Sequence, residues 1–400
     1  MINDYLNKDI KVKSILKKYN LDVLPTKLLR YLPAVFVDEK CEYDDAQMLG
    51  KLNSRSFMDK FGLIDDLSIF CPICGHKSHS ALCSCPNCQK HKKQKEQIQE
   101  EQILLRKKEE EKLKDKKIAI LYEDAEKSKK FATNINDISL HDMLFITSYI
   151  RSFMDEDLRF FKEFYKFNNK DNRIFPKYYM DADPDIDEII KIYKKGYLYV
   201  SPESDLSSVN FNKNEDTDEM FFESFNPGLV KFCINIYDDS NDYYKLIDEL
   251  RYPKIINFLS NKDFIYDTWK NIALFECKEY LLKELNDINF NSFKPGIKTD
   301  NVINHLLDHF STSQIFGLIH NRVNNALRYY EGNNVPKNRA ANSIITNLET
   351  YGERAISNHW DLTNYGRDFD IPQSKISEVF YNYILEISEQ GFYSVPTKDI

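Results

Sequence analysis

Between residues 9 and 32, apolar side chains return every three or four positions, at Val12, Ile15, Leu16, Leu21, Leu24, Leu28 and Leu29, which is the period of one helical face. Pro25 interrupts the pattern, so two short helices are expected rather than one. Residues 36–66 carry no clear period, and residues 67–70 read as a short strand feeding a run of cysteines. From residue 89 to 130 the chain is dominated by Lys, Glu and Gln with no Gly or Pro, the composition of a solvated helix. At 1.5 Å per residue it would extend roughly 60 Å. A two-stranded coiled coil needs an apolar seam, but the register starting at Ile98 runs through Leu105 to Lys112 and Ala119, with Glu101, Lys108 and Asp115 between them. The seam fails. A charged connector, supported by pairs such as Glu110 and Glu111 with Lys114, is the better expectation.

Beyond residue 137 the apolar density rises. Ser139 followed by Asp142 predicts a capped helix start, and Leu140, Met143, Leu144, Ile150 and Phe153 line one face of that helix. Residues 185–195 predict a short helix closed by Gly196, and residues 197–200 a strand ended by Ser201 and Pro202. Residues 220–225 and 229–236 predict two more strands with Asn226, Pro227 and Gly228 as the turn between them, a grouping compatible with a winged-helix-like unit. From residue 243 onward helices return. One is capped by Ser311 or Thr312 and carries Ile315, Leu318, Ile319, Val323 and Leu327, while Pro336 and Pro372 stand where first helical turns would begin.

The expected fold is therefore mainly α with a small β component. Its parts are a helical lead-in over residues 1–66, a cysteine-rich segment over 67–90, a charged helical connector over 91–136, a helical unit with a small sheet over 137–260, and a C-terminal helical domain over 261–400. The 400-residue chain has room for a sizeable core, and 11 Gly and 13 Pro argue against an all-β sandwich. A net charge of -8 argues against a protein that coats nucleic acid over its whole surface, so any such contact would be local. The first twenty residues lack the apolar stretch of a signal peptide, and no run of 18 uncharged apolar residues occurs, so a cytoplasmic protein without a membrane span is expected.

Five of the eight cysteines, Cys71, Cys74, Cys83, Cys85 and Cys88, fall within eighteen residues. In a long, leaderless chain this crowding points to metal ligation rather than disulfides. Cys71-Pro-Ile-Cys74-Gly75 and Cys85-Pro-Asn-Cys88 resemble the two knuckles of the short CPxCG zinc ribbons found in many bacterial proteins, although Gln89 replaces the second glycine. The expectation is one structural Zn2+ on Cys71, Cys74, Cys85 and Cys88, because thiolates with no open position favour structural zinc. Cys83, His76, His79 and His91 are alternative ligands; Cys41, Cys233 and Cys277 read as buried or free thiols. Lys77, Lys90, Lys92, Lys93 and Lys95 form a dense basic flank that could contact nucleic acid, although a solvated helix opening would look the same.

Other constellations are weaker. His305 and His309 are one helical turn apart, but Leu306 stands where a metalloprotease helix has Glu. Asp181, Asp183, Asp185 and Asp187 alternate like a calcium loop, yet Ile186 and Ile192 occupy the glycine and bidentate Glu positions. Arg322, Arg328, Arg339, Arg354 and Arg367 lie near Tyr329, Tyr330, Tyr351 and Tyr365, where helical packing accounts for them as well as an interface does. Phosphate-binding, dinucleotide-binding and serine-hydrolase motifs are missing. The leading expectation is a non-enzymatic zinc-ribbon protein that engages macromolecules, a protein partner before nucleic acid. The alternative is an enzyme or effector whose site lies in the C-terminal helices. The Lys, Asn, Ile and Tyr bias fits an AT-rich genome or a mobile element such as a phage-defence gene.

Overall fold

In the computed structural model, all residues are described except 79, 81, 170–171, 177–182, 241 and 399–400. The protein is mainly α-helical with a small β component. It forms two compact units, Met1–Lys112 and Leu113–Ile400, whose boundary falls inside the helix Pro86–Lys129.

In the first unit, the short helices Ile2–Leu6 and Val12–Lys18 and the 3-10 turn Pro25–Tyr31 bury Tyr5, Ile15, Leu16 and Leu28 together with Leu52. Arg55 fastens this cluster by donating to the carbonyls of Asp4, Tyr5, Asn7 and Ile10. The strands Val35–Lys40 and Gln47–Gly50 make an antiparallel hairpin. No strand forms over residues 67–70. Asp66–Ser68 is a 3-10 turn, and Phe70 joins Leu49 by a single bridge. The Ser68 hydroxyl explains the difference: it donates to the Asp65 carbonyl and accepts the Lys51 N–H, a donor a longer ladder would have used. A second small cluster follows, made of Cys41, Met48, Ile69 and Cys71.

The second unit has one buried cluster that draws on residues from both the 137–260 and 261–400 stretches. Leu140–Phe153 is capped as expected, with the Ser139 hydroxyl accepting the Asp142 N–H. Pro184–Lys194 is followed by Gly196 at φ +82°, a conformation that only glycine adopts without strain. The strand pairing departs from the sequence reading. Met220–Phe225 pairs back onto Val209–Lys213, and Phe232–Ile234 pairs with Leu198–Val200, each in its own two-stranded ladder. The Asn226 turn therefore separates two ladders rather than closing a hairpin: the Asn226 N–H extends the first by donating to Ser208, and the Phe232 carbonyl accepts from Phe161. A winged-helix sheet is not formed. Helices Lys262–Asp287, Ile297–Leu307, Thr312–Gly332 and Lys337–Ser357 pack against one another at the C-terminal end. Pro336 caps the last of these, whereas Pro372 lies ahead of Ser374, which caps Lys375–Glu378. Among the described residues no helix is long and apolar enough to cross a membrane.

Candidate metal centre

The two CxxC pairs do not meet at one point. The structure divides them between two ligand groups, each with all candidate atoms within 4.8 Å of one another: His76, Cys83, Cys85 and Cys88 in one, and Cys41, Asp44, Cys71 and Cys74 in the other. The quartet read from the sequence is not brought together as one group, because each pair has candidate partners outside it.

Local backbone chemistry explains the division. Cys71-Pro-Ile-Cys74-Gly75 is a knuckle: Gly75 sits at φ +74°, its N–H donates to the Cys71 carbonyl at 3.0 Å, and the Ile73 N–H points at the Cys71 sulfur at 3.3 Å. Cys85-Pro-Asn-Cys88 is not a second knuckle. Pro86 opens the long helix, the Cys88 N–H points at the Cys85 sulfur at 3.4 Å, and Gln89 continues the helix by donating to the Cys85 carbonyl. A helix needs no left-handed glycine there, which is why Gln89 is compatible with ligation. The helix N-terminus also places unpaired N–H groups beside thiolate charge.

In the His76 group, Nδ1 lies 3.2 Å from Cys88 Sγ, 3.7 Å from Cys83 Sγ and 4.0 Å from Cys85 Sγ. The edges of a tetrahedral zinc site with bonds of 2.0–2.3 Å are about 3.3–3.8 Å, so these separations lie within a few tenths of an ångström of those around one ion. Cys83 and Cys85 both belong to the group, so Cys83, read from the sequence as an alternative ligand, stands beside Cys85 rather than in place of it. His76 is buried, and its Nε2 faces the Glu42 carboxylate at 3.4 Å, which leaves Nδ1 toward the sulfurs. Tyr43 stacks edge-on to the His76 ring, and its hydroxyl lies 3.7 Å from Cys88 Sγ.

In the other group, Cys41 Sγ lies 3.7 Å from Cys74 Sγ, and Asp44 Oδ2 lies 3.3 Å from Cys71 Sγ and 3.7 Å from Cys41 Sγ. Bonds from the Cys74 and Cys71 thiols hold the Asp44 carboxyl below the usual range. That same bond to Asp44, followed by burial, pushes the Cys74 thiol up to about 12. Burial pushes Cys88 up to about 11, while for Cys83, which burial alone would raise, backbone N–H groups of Cys85 and Lys77 bring the thiol down to about 6. Sulfurs packed this closely cannot all carry charge without a cation among them.

His79 lies outside the described residues, and His91 is exposed on the helix. Lys77, Lys90, Lys92, Lys93 and Lys95 are all exposed. Sequence reasoning takes Cys41 for an isolated thiol and misses Asp44, Glu42 and Tyr43. The available signal is that Cys41-x-x-Asp44 repeats the spacing of Cys71-x-x-Cys74.

Elsewhere the candidates resolve into structural roles. The rings of His305 and His309 are 5.5 Å apart, and His305 pairs with Glu353. Asp181 lies outside the described residues. Asp183 caps the helix at residue 184, and Asp185 is buried, accepting the N–H groups of Ile174 and Phe175. Arg322 stacks on Tyr351 and Arg367 pairs with Glu276. His141, Asp142 and Glu188 also converge, but Lys195 is bonded to both Asp142 oxygens and Lys191 to Glu188, so cations are already in place. No protein-family model, curated protein or solved structure matches the chain. The chemistry of the ligand groups must therefore stand on its own geometry.

Proposed function

We propose that the protein is a zinc-organised, non-enzymatic interaction module in which an ion at His76, Cys83, Cys85 and Cys88 anchors a helix that docks on a protein partner. A set of four protein ligands leaves no position for substrate, the arrangement of structural rather than catalytic zinc. The observation that supports a partner is the helix itself. Every residue from 89 to 116 is exposed, and among them Ile98, Ile103, Leu104 and Leu105 keep 56, 49, 53 and 54% of their surface in solvent. Isolated helical stretches of this kind are marginal in water and gain stability by docking. Half-exposed Leu and Ile side chains favour a protein over nucleic acid, whose recognition would rest on Lys90, Lys92, Lys93 and Lys95.

Two variants test the reading. One carries Ile103→Gln, Leu104→Gln and Leu105→Gln; the other carries Lys90→Glu, Lys92→Glu, Lys93→Glu and Lys95→Glu. Partners captured from the native host with the wild type should be lost from the first variant, and retained by the second at moderate salt. Capture of nucleic acid that the lysine variant abolishes and salt weakens would overturn the protein reading.

A further inference from the structure

We propose that Cys41, Asp44, Cys71 and Cys74 hold a second zinc-class divalent cation, so that the Met1–Lys112 unit carries two ions of unlike coordination. This second ion shares with the first the role of organising the unit, but it rests on a different ligand set.

Three observations carry it. The Cys41–Cys74, Asp44–Cys71 and Asp44–Cys41 separations are 3.7, 3.3 and 3.7 Å, close to the edge lengths of a tetrahedron around one ion. The sulfur-to-sulfur distance is too long for a disulfide, whose sulfurs stand about 2.05 Å apart. Second, Cys41 and Cys71 are 3% and 1% exposed, and they make up half of the small cluster that also holds Met48 and Ile69. Their sulfurs nevertheless lie within 3.7 Å of Asp44 Oδ2, and that of Cys41 within 3.7 Å of Cys74 Sγ, so polar ligand atoms meet beside the apolar side chains. Third, the backbone is set for ligation: the Gly75 turn aims the Ile73 N–H at Cys71, as knuckle thiolates require.

The segment 41–44 also ties the two groups together. Cys41 and Asp44, three residues apart, face one group, while Glu42 and Tyr43 between them touch His76 and Cys88 of the other. On the other side, Cys74 and His76 are separated only by Gly75. Neither ion can leave without loosening chain that orients ligands of its neighbour. The two sites are nevertheless unequal. Asp44 is half-buried and supplies a hard oxygen where the other site has a buried imidazole. Three thiolates and a carboxylate leave more negative charge around the ion than three thiolates and a neutral histidine. Despite that charge, the more accessible hard oxygen makes the Asp44 site the one more open to water and to a competing chelator.

Native mass spectrometry of the full-length protein titrated with Zn2+, and cobalt absorption of the same protein titrated with Co2+, test the assignment. Wild type should take up two equivalents, Asp44→Ala one, and Asp44→Cys two, with a stronger thiolate-to-cobalt band than wild type. Cys83→Ser should lose the His76 site and keep the other. A weak chelator should strip one equivalent well before the second, and that fraction should be missing from Asp44→Ala. One equivalent in wild type, unchanged in Asp44→Ala, would overturn the second site while leaving the His76 site intact. No metal in either protein would overturn both. If Asp44→Ala folds poorly, Asp44→Cys decides: two equivalents with an unchanged cobalt spectrum would mean that position 44 is not a ligand.

Discussion

Removing metal should unfold residues 35–88 and leave the Leu113–Ile400 unit folded. The magnitude follows from what else holds the first unit. Apart from the candidate-ligand cysteines, Met48 and Ile69 are the buried hydrophobic side chains of this cluster among the described residues. At about 1.5–3 kcal/mol for each buried side chain, they contribute roughly 3–6 kcal/mol. A four-ligand structural zinc contributes about 10–16 kcal/mol of apparent binding energy, so the ion outweighs the packing and its loss is not offset. The second unit has a separate and far larger core, and both tryptophans of the chain, Trp269 and Trp360, belong to that unit. Trp269 is 2% exposed and donates to the Gly391 carbonyl at 2.9 Å, so its fluorescence reports on that unit alone. Chelation, confirmed by elemental analysis, should abolish amide protection over residues 35–88 while tryptophan emission and protection in the second unit persist. Protection that survives at residues 41–49 and 69–76 in metal-free protein would refute metal-dependent folding of this segment. Loss of the Trp269 signal on chelation would refute the independence of the second core.

Two further predictions concern the second unit. Glu276 is 4% exposed, accepts from Arg367 at 2.9 Å and from the Ser377 hydroxyl at 2.8 Å, so Glu276→Gln leaves a largely enclosed guanidinium with only the more distant Glu389 carboxylate at 3.8 Å. The expected cost is about 3–5 kcal/mol in denaturant unfolding followed by tryptophan emission, and a loss below about 1 kcal/mol would show that solvent or Glu389 satisfies Arg367. Asp368 is held below the usual carboxylate range: burial alone would raise it, but the Lys283 ammonium at 2.7 Å and the Asp370 N–H outweigh that effect. Because the folded value is the lower one, its stabilisation is fully present above the unfolded value near 4 and is lost as pH falls through the folded value. Asp368→Asn should therefore lower stability at neutral pH and flatten the acid limb of the second unit's stability curve; an unchanged acid limb would contradict the assignment.

Helical periodicity was legible wherever one face is buried and the ends carry caps, as at Ser139 and Ser311, because both signals are local. Strand pairing was not. Residues 220–225 and 232–234 look like hairpin neighbours across Asn226-Pro-Gly, but partner choice depends on contacts with Phe161 and residues 198–213 that no local pattern encodes. At the candidate metal centre, the cysteine crowding pointed to groups that could hold a metal, and the spacing grouped their members differently from the structure. Matching the two CxxC pairs treats them as equivalent turns, whereas Cys85-Pro-Asn-Cys88 is the first turn of a helix. The absence of glycine after Cys88 was the residue-level sign of that difference. Asp44 was hidden because a carboxylate in a tyrosine- and aspartate-rich stretch carries no mark of ligation until Cys41 is brought beside Cys71.

The placement of candidate metal ligands at the start of the long helix bears on how that helix can stand exposed. Forming the first helical turn fixes several dihedral pairs for a single hydrogen bond, and this nucleation step is what makes isolated helices short-lived. Here Cys85 and Cys88 lie at the helix start, with the Cys88 N–H already directed at the Cys85 sulfur, so an ion that binds both sulfurs fixes the first turn before any residue beyond it is ordered. Thiolate charge at that end also complements the helix dipole, which the lysines at positions 90, 92, 93 and 95 oppose. Elongation through the Lys- and Glu-rich stretch then costs little per residue, because those side chains are good helix formers. An ion held there would act on the exposed surface without touching it, by supplying the nucleus from which that surface is propagated.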